Sequence, residues 1–100
     1  MKSGYKIFWT AHALDELAAT IAYLEINFPD KTLQRLAQKI ESITELTAFN
    51  PQLFAKSDQT GIYKVSVLKF NTMYYRVQDD TVEILSFFSN RQNPGKRENK

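Results

Sequence analysis

The sequence predicts an α+β fold in which one mostly antiparallel four-stranded sheet packs against two helices. Three observations predict it: a short β-rich segment opens the chain, two segments with helical spacing of apolar residues follow, and three β-rich segments come last. Strands grouped in sequence favour an antiparallel sheet with the helices on one face. We therefore expect an N-terminal strand, a helical hairpin and a three-stranded meander, in one domain because 100 residues do not suffice for two.

The composition is that of an ordinary globular domain. Hydrophobic residues make up 43% and charged residues 24%, which excludes a disordered or collagen-like chain. The absence of Cys excludes a disulfide framework, a thiolate metal site and a Cys nucleophile. No run approaches the roughly 18–20 apolar residues of a membrane helix, and no signal-peptide pattern opens the chain. We expect a cytoplasmic protein with no membrane partner.

The N-terminal strand and the first helix meet at Thr10. Residues 5–9 are rich in β-forming side chains, and Thr10 is a favourable N-cap for a helix that starts at Ala11. The helix should end near Asn27 and Phe28, because a residue that precedes a proline disfavours helical geometry. Its apolar stripe is predicted to comprise Leu14, Leu17, Ala18, Ile21, Leu24 and Phe28.

A second helix should follow at once, with Asp30 as its N-cap. Such a short connection makes the two helices an antiparallel hairpin. Asn50 and Pro51 end the helical pattern, and residues 50–61 are predicted to form a loop. The core stripe of this helix is predicted to comprise Leu33, Leu36, Ala37, Ile40, Ile43 and Thr47.

Three β-rich segments complete the fold at residues 62–68, 71–77 and 81–88. Gln78, Asp79 and Asp80 signal a tight turn, so the last two strands should form an antiparallel hairpin. We expect the domain to span residues 1–94 and residues 95–100 to form a frayed polar tail. Residues 1–89 carry a net charge of −1 and residues 90–100 one of +3, so the positive excess lies in the tail.

Few residues point to chemistry through a motif. His12 is the single histidine, and the dipole at a helix start disfavours its charged form, so a surface position is expected. No metal or organic cofactor is indicated. Cations and aromatic side chains alternate on the predicted strands, a pattern that suits nucleic acid but also suits ordinary exposed strands. This set comprises Lys64, Lys69, Tyr74, Tyr75, Arg76 and Arg91.

Two blocks of sequence together resemble the RelE/ParE superfamily of bacterial toxins, and more closely its ParE side. The resemblance covers about residues 5–94. In the first half it rests on Tyr5-Lys6-Ile7-Phe8-Trp9-Thr10, Leu14-Asp15-Glu16-Leu17 and Ile21-Ala22-Tyr23-Leu24. In the second half it rests on Gly61-Ile62-Tyr63-Lys64, Met73-Tyr74-Tyr75-Arg76-Val77, Val82-Glu83-Ile84-Leu85 and Asn90-Arg91-Gln92-Asn93-Pro94.

The resemblance implies the toxin of a type II toxin–antitoxin pair, which a cognate antitoxin neutralises by wrapping it with a helix or strand. A helical hairpin offers an apolar groove for such a segment, and an open sheet offers an edge. We expect the groove of the hairpin to bind the antitoxin. Its lining would comprise Leu14, Leu17, Ile21, Leu36 and Ile40.

The resemblance leaves two activities open. RelE-like members cut messenger RNA on the ribosome with strand cations, a late Arg and a Tyr or His near the C-terminus. Here Lys64 and Arg91 match that pattern, but Ser66 stands where a second base is expected, and neither Tyr nor His follows Arg91. The nuclease set is therefore incomplete, and losing several cooperating groups removes most catalysis. A nuclease would have to use Lys64, Lys69, Arg76, Glu83 and Arg91.

ParE-like members instead bind DNA gyrase and need no catalytic set, and this is the function that we expect. The residues expected to contact the target are Lys64, Tyr75, Arg76, Asn90 and Arg91. Two alternatives stay open. One is a ribosome-dependent messenger RNA endoribonuclease, and the other is a non-toxic relic that only binds its antitoxin.

Overall fold

Two helices lie on one face of a five-stranded sheet in the computed structural model, which describes residues 4–57 and 60–89. The strands lie in the order β1-β5-β4-β3-β2, and every neighbouring pair is antiparallel except β1 and β5, which are parallel. The predicted α+β class is confirmed. Along the chain the elements are β1 (Lys6–Trp9), α1 (Ala11–Asn27), α2 (Asp30–Phe49), β2 (Ala55–Lys56), β3 (Ile62–Val67), β4 (Asn71–Gln78) and β5 (Thr81–Ser89).

The sheet has one strand more than the sequence predicts. Ala55 and Lys56, within the expected loop, pair with Lys64 and Tyr63 of β3. The backbone N–H of Ser57 also donates to the Ile62 carbonyl at 2.7 Å. Two residues carry no periodicity, so this strand is set by its long-range partner rather than by local propensity. It forms one edge of the sheet, and β1 forms the other.

Thr10 joins β1 to α1 as predicted. Its hydroxyl oxygen accepts from the backbone N–H of Ala13 at 3.3 Å and its O–H donates to the Ile84 carbonyl at 2.8 Å. The helix ends at Asn27, as the position of Pro29 predicts. Its buried residues are Ala13, Thr20 and Leu24, whereas Leu14 is 49% exposed and Ala18 is exposed. The packed face is therefore rotated toward Ala13 relative to the predicted stripe.

The start and the packed face of α2 each differ from prediction at one residue. Pro29 is the N-cap and Asp30 is the first helical residue, so Asp30 as the N-cap was wrong. The carboxylate of Asp30 still lies in the first turn, where the helix dipole favours a negative charge. Leu36, Ile43 and Thr47 are buried, and Leu33 and Ile40 pack partly against the core. Ala37, by contrast, is exposed.

The sheet alternates between a buried face and an open face. Side chains that point toward the helices are buried, namely Tyr63, Val65, Val67, Met73, Tyr75, Val82, Ile84 and Phe87. No helix covers the opposite face within the described residues. We call it the open face, and its central side chains are Lys64, Ser66, Thr72, Tyr74, Arg76 and Glu83. A bulge at Tyr74 and Tyr75 places Leu85 as the extra residue of β5 and shifts its alternation.

Glu16 fastens α1 to β5 beyond the end of β1. One carboxylate oxygen accepts from the Ser86 hydroxyl and from the backbone N–H of Phe87, both at 2.7 Å. The other oxygen lies 3.4 Å from Nε2 of His12, which is on the surface as predicted. The Phe87 N–H belongs to the part of β5 that β1 does not reach. Glu16 therefore satisfies a backbone donor that the sheet leaves unpaired.

Replacing Glu16 with Ala should lower the free energy of unfolding by about 1–3 kcal/mol, because the Phe87 N–H and the Ser86 hydroxyl both lose their acceptor. Urea denaturation measures the change. Glu45→Ala is the matched control, since Glu45 is exposed on α2 and should change stability by less than about 0.5 kcal/mol. Equal losses in the two variants would contradict this structural assignment.

Candidate functional site

The register of the three central strands brings the charged residues of the open face together. Lys64 lies directly opposite Tyr74, and Arg76 lies opposite Ile62 on one side and Glu83 on the other. Lys64 and Arg76 are therefore diagonal neighbours on adjacent strands, a spacing that long side chains bridge. We call Lys64, Tyr74, Arg76 and Glu83 the open-face cluster.

Arg76 and Glu83 form a cross-strand ion pair. The Arg76 Nε donates to a Glu83 oxygen at 2.6 Å, and the Glu83 side chain is only 22% exposed. Partial burial and a short charge-assisted bond make this pair stronger than a typical surface salt bridge. The pair occupies one oxygen of Glu83, the carboxylate that a nuclease would need as its base. It also offsets the positive charge of Arg76, the arginine of the open-face cluster.

Lys64 has no such partner. Among residues 4–57 and 60–89 it takes part in no ion pair, and its side chain is exposed. It lies at a shallow depression of about 360 Å³ whose other walls include Phe54, Ser66, Thr72 and Tyr74. Lys64 is thus the uncompensated positive charge of the open-face cluster, beside a half-buried aromatic ring.

Lys69 is separated from the open-face cluster. It lies in the turn between β3 and β4, at the end of the two strands where Val67 pairs with Asn71. Arg76 pairs with Ile62 at the opposite end of the same two strands. It lines a depression on the helix side with Leu24, Phe28 and Arg35. The structure therefore does not bring Lys69 together with Lys64 and Arg76 as the nuclease set would require.

Tyr75 belongs to the core and not to the surface. Its side chain is fully buried, its O–H donates to the Pro51 carbonyl at 2.6 Å, and its ring stacks on Tyr63 at 5.2 Å between centroids. The assignment of Tyr75 to target contact is therefore wrong for this fold. The physical reason is strand alternation, which turns Tyr74 to the open face and Tyr75 to the helices.

The environment of Tyr75 makes the fold sensitive to alkali. Burial, with a smaller contribution from Tyr63, raises the pKa of Tyr75 from 10.0 to about 12, against a lowering effect of the Phe54 backbone N–H. Because the folded pKa is the higher one, the stabilisation is complete below about pH 10. It is lost as the pH rises through about 12.

Titration of tyrosine absorbance should therefore show one late ionisation near pH 12, together with loss of folded structure. In Tyr75→Phe this late ionisation should disappear from the absorbance titration. Survival of the late step in that variant would assign it to a different tyrosine.

The predicted antitoxin groove is not a continuous surface. Leu36 is only 1% exposed and Leu17 and Ile40 pack partly against the core, so these three side chains mainly support the fold. Ile21 is half-buried, and Leu14 alone of the five is largely exposed. Leu36 as a groove residue is thus wrong, because α2 turns it inward onto the sheet.

Two expected site residues, Asn90 and Arg91, lie outside the described residues, as does the predicted tail of residues 95–100. Within the described residues no group of three or more acidic or histidine side chains is arranged to hold a metal ion. Neither α1 nor α2 is both long enough and apolar enough to cross a bilayer.

Sequence reasoning did not identify the Arg76–Glu83 pair, although a signal for it was present. A two-residue turn at Asp79 and Asp80 fixes the hairpin register, and counting outward from that turn places residue 76 opposite residue 83. Asp79 adopts a φ of 56°, which Asp tolerates better than most residues. The hydrogen bonds of Glu16, by contrast, have no signal in the sequence, because their donors are about 70 residues away along the chain.

Comparisons with a family model and with solved structures both match this chain to toxins of toxin–antitoxin systems. The family described as "ParE toxin of type II toxin-antitoxin system, parDE" matches residues 7–94. No curated protein matches the chain. The solved structure of a chromosomal ParDE system from P. aeruginosa has 20% identity and a TM-score of 0.68 over 88% of this chain and 98% of that one.

Two further solved structures have the same fold. A YoeB/ParE toxin from Agrobacterium tumefaciens is 17% identical, with a TM-score of 0.62 over 85% of this chain and 98% of that one. The YoeB dimer from Staphylococcus aureus is 19% identical, with a TM-score of 0.58 over 83% of this chain and 93% of that one. At such identities the likeness extends to the fold alone.

Proposed function

This chain belongs to the ParE toxin family of type II toxin–antitoxin systems, and we propose that it arrests growth by binding a target rather than by cutting RNA. Membership in this family implies a cognate antitoxin as its partner. The finer question is how the toxin acts, since ParE-like and RelE-like toxins share the fold.

The observation that carries the proposal is the Arg76–Glu83 ion pair. Cleavage of RNA through its 2′-OH needs a base for that hydroxyl, positive charge on the phosphate and an acid for the leaving oxygen. Within residues 4–57 and 60–89, the carboxylate of the open-face cluster, Glu83, is bonded to its guanidinium, Arg76, and Lys69 is at the far end of the strands. Ser66 and Thr72, the other polar neighbours of Lys64, are uncharged.

What the open face does offer is a small recognition surface. Among the described residues, the open face presents one unpaired cation, Lys64, together with the half-buried ring of Tyr74 and a neutralised ion pair. This combination suits contact with a protein better than contact with a phosphate chain. Nucleic-acid sites instead concentrate several unpaired cations. The target that we propose is DNA gyrase, as for other ParE-like toxins, and the site of action is the cytoplasm.

Two reactions with the purified toxin test this proposal. The first measures DNA supercoiling and covalent cleavage by gyrase in the presence of toxin, and the second maps cuts in messenger RNA on translating ribosomes. We expect inhibition or trapped cleavage in the first reaction and intact RNA in the second, and the effect on gyrase should disappear when the cognate antitoxin is added. Ribosome-dependent cuts would establish the nuclease alternative, and inactivity in both reactions with no growth arrest in cells would indicate a non-toxic relic.

A further inference from the structure

Helix α2 carries a row of cations, Lys31, Arg35 and Lys39, spaced four residues apart. This spacing places them along one side of the helix, at successive rises of about 6 Å and within about 80° of one another. All three side chains are exposed, and within residues 4–57 and 60–89 none of them forms an ion pair. The acids of α2 lie about a third of a turn further round the helix. They are Asp30, Glu41 and Glu45.

This row of cations does not stabilise the helix that carries it. Like charges four residues apart repel each other, and both neighbouring pairs in the row have that spacing. Lys31 also lies in the first turn of α2, where the helix dipole disfavours a positive charge. The row therefore opposes helix formation and has no compensating acid in the described part of the chain. Such an arrangement favours a role in binding an external negative charge.

Lys69 extends the row beyond the helix. It lies in the β3–β4 turn, and together with Arg35 and Thr32 it lines a depression of about 430 Å³. Its side chain is exposed and forms no ion pair with any described residue. We call Lys31, Arg35, Lys39 and Lys69 the basic patch. It holds four of the nine Lys and Arg residues in residues 1–89.

The acids of the sheet lie far from the basic patch. Asp79 and Asp80 form the β4–β5 turn, whereas Lys69 lies in the turn at the other end of β4. The eight residues of β4 separate the two turns by roughly 24 Å. Positive charge is thus concentrated at one end of the sheet, although residues 1–89 carry a net charge of −1. A charge distribution of this kind orients the approach of a polyanion.

We propose that the basic patch binds the phosphate backbone of duplex DNA without reading its sequence. A DNA duplex carries one negative charge for about every 1.7 Å of its axis, so cations about 6 Å apart can each meet a phosphate. Lys and Arg side chains that contact phosphates position a protein on DNA, whereas sequence is read by side chains that enter a groove. The patch offers the first kind of contact.

An acidic amphipathic peptide fits the same surface less well. Leu24 and Leu36 line the depression but are only 3% and 1% exposed, so a peptide would gain little contact with them. Phe28 and Leu68 supply the exposed apolar surface of the depression. A phosphate backbone needs only the charges, and these are unpaired among the described residues.

The basic patch and the open-face cluster lie on opposite sides of the sheet, so the toxin can hold a protein on one side and DNA on the other. The choice of DNA over RNA rests on the proposed function, because a toxin bound to gyrase is held beside duplex DNA. Binding to the patch is measured without gyrase. A toxin that binds the duplex but leaves gyrase unaffected would refute the proposed function alone.

The test measures binding of the full chain to a labelled DNA duplex of about 20 base pairs by fluorescence anisotropy. In about 0.05 M salt we expect a dissociation constant in the micromolar range, and the affinity should fall steeply as salt rises. Arg35→Gln/Lys39→Gln should weaken binding about tenfold or more. It should also reduce the slope of log affinity against log salt by about 2, since each phosphate contact contributes about 0.9. Gln has nearly the helix propensity of Lys and Arg, so the urea midpoint should not change.

The matched control is Lys6→Gln/Lys56→Gln, which makes the same change in net charge at exposed positions. Lys6 pairs with Thr81 and Lys56 with Tyr63, so both lie toward the end of the sheet away from Lys69. Charges further apart than the Debye length of about 10 Å in 0.1 M salt are largely screened. The control should therefore bind the duplex within about threefold of the wild type.

Lys69→Gln tests whether the patch joins the helix to the turn. It should reduce the salt slope by about 1, and by the same amount for an A·T-rich and a G·C-rich duplex, because a phosphate contact carries no sequence information. An unchanged slope in Lys69→Gln would contradict the inclusion of the turn in the patch.

Four results would overturn the proposal. The first is no detectable binding of the wild type to the duplex in about 0.05 M salt. The second is an equal loss of binding in Arg35→Gln/Lys39→Gln and its matched control. The third is a loss of binding that requires Lys96→Gln/Arg97→Gln instead, which would assign DNA contact to the C-terminal segment. The fourth is tighter binding of an RNA duplex of the same length. If Arg35→Gln/Lys39→Gln weakens antitoxin binding but leaves duplex binding unchanged, the patch binds an acidic peptide and the proposal is again wrong.

Discussion

Replacing Lys64 with Glu is expected to abolish growth arrest by this toxin while leaving the domain folded. Lys64 is the exposed, unpaired cation of the open-face cluster, so reversal of its charge turns attraction for the target into repulsion. Losing such a contact costs about 2 kcal/mol or more of binding, which is roughly a thirtyfold loss of affinity. Colony counts after induction of the lone toxin, at equal protein level, measure the effect.

The control for Lys64→Glu is Lys6→Glu, which makes the same charge change at the edge of the sheet. Among the described residues, the Lys6 ammonium forms one ion pair, with Asp80 at 4.0 Å, and both side chains are exposed, so its loss should change stability little. Lys6→Glu should arrest growth like the wild type. Undiminished growth arrest by Lys64→Glu would show that toxicity does not depend on the open-face cluster.

The second large effect concerns Leu36. Leu36→Ala should lower the free energy of unfolding by about 2–5 kcal/mol, because it opens a cavity beneath α2 at a side chain that is 1% exposed. Leu14→Ala removes the same atoms from a side chain that is 49% exposed and should cost about 1 kcal/mol or less. Urea denaturation at equal protein concentration separates the two.

The same pair of variants tests where the antitoxin binds. If Leu36 is a core residue, antitoxin affinity per folded molecule should be nearly unchanged in Leu36→Ala despite its loss of stability. A large fall in antitoxin affinity with an unchanged free energy of unfolding would instead show that Leu36 contacts the antitoxin, which would contradict its burial.

Local signals in the sequence account for most of the fold. Thr10 begins α1 because its hydroxyl caps the first turn, and Pro29 ends the helix because it restricts the residue before it. Asp79 and Asp80 set the β4–β5 hairpin, and through it the position of Arg76 against Glu83. In each case the deciding interaction lies within a few residues of the signal.

The features that sequence reasoning missed depend on distant partners. The two-residue strand at Ala55 forms because it pairs with β3. Glu16 bonds to β5 because β5 extends beyond the end of β1 and leaves the Phe87 N–H without a strand partner. The same holds for the rotation of α1, which buries Ala13 in preference to Leu14 to match the surface of the sheet. Apolar periodicity shows that a helix has a buried face but fixes its centre only to within about one residue.

In the candidate site, too, local sequence signals identify some features and distant contacts decide the others. The cations and aromatic residues of the central strands could be identified from composition and resemblance, but which of them share a face depends on strand alternation and register. Tyr75 and Lys69 were assigned to the site for their chemistry, and the fold places one in the core and the other at the helix side.

The central claim is that this ParE-family toxin acts by binding a target of DNA metabolism and not by cutting RNA. The most direct measurement is pulse labelling with thymidine and an amino acid in parallel after induction of the lone toxin in a bacterial host. The account predicts that thymidine incorporation falls first while amino-acid incorporation continues. An early fall in amino-acid incorporation, with DNA synthesis intact, would contradict it and point to the ribosome.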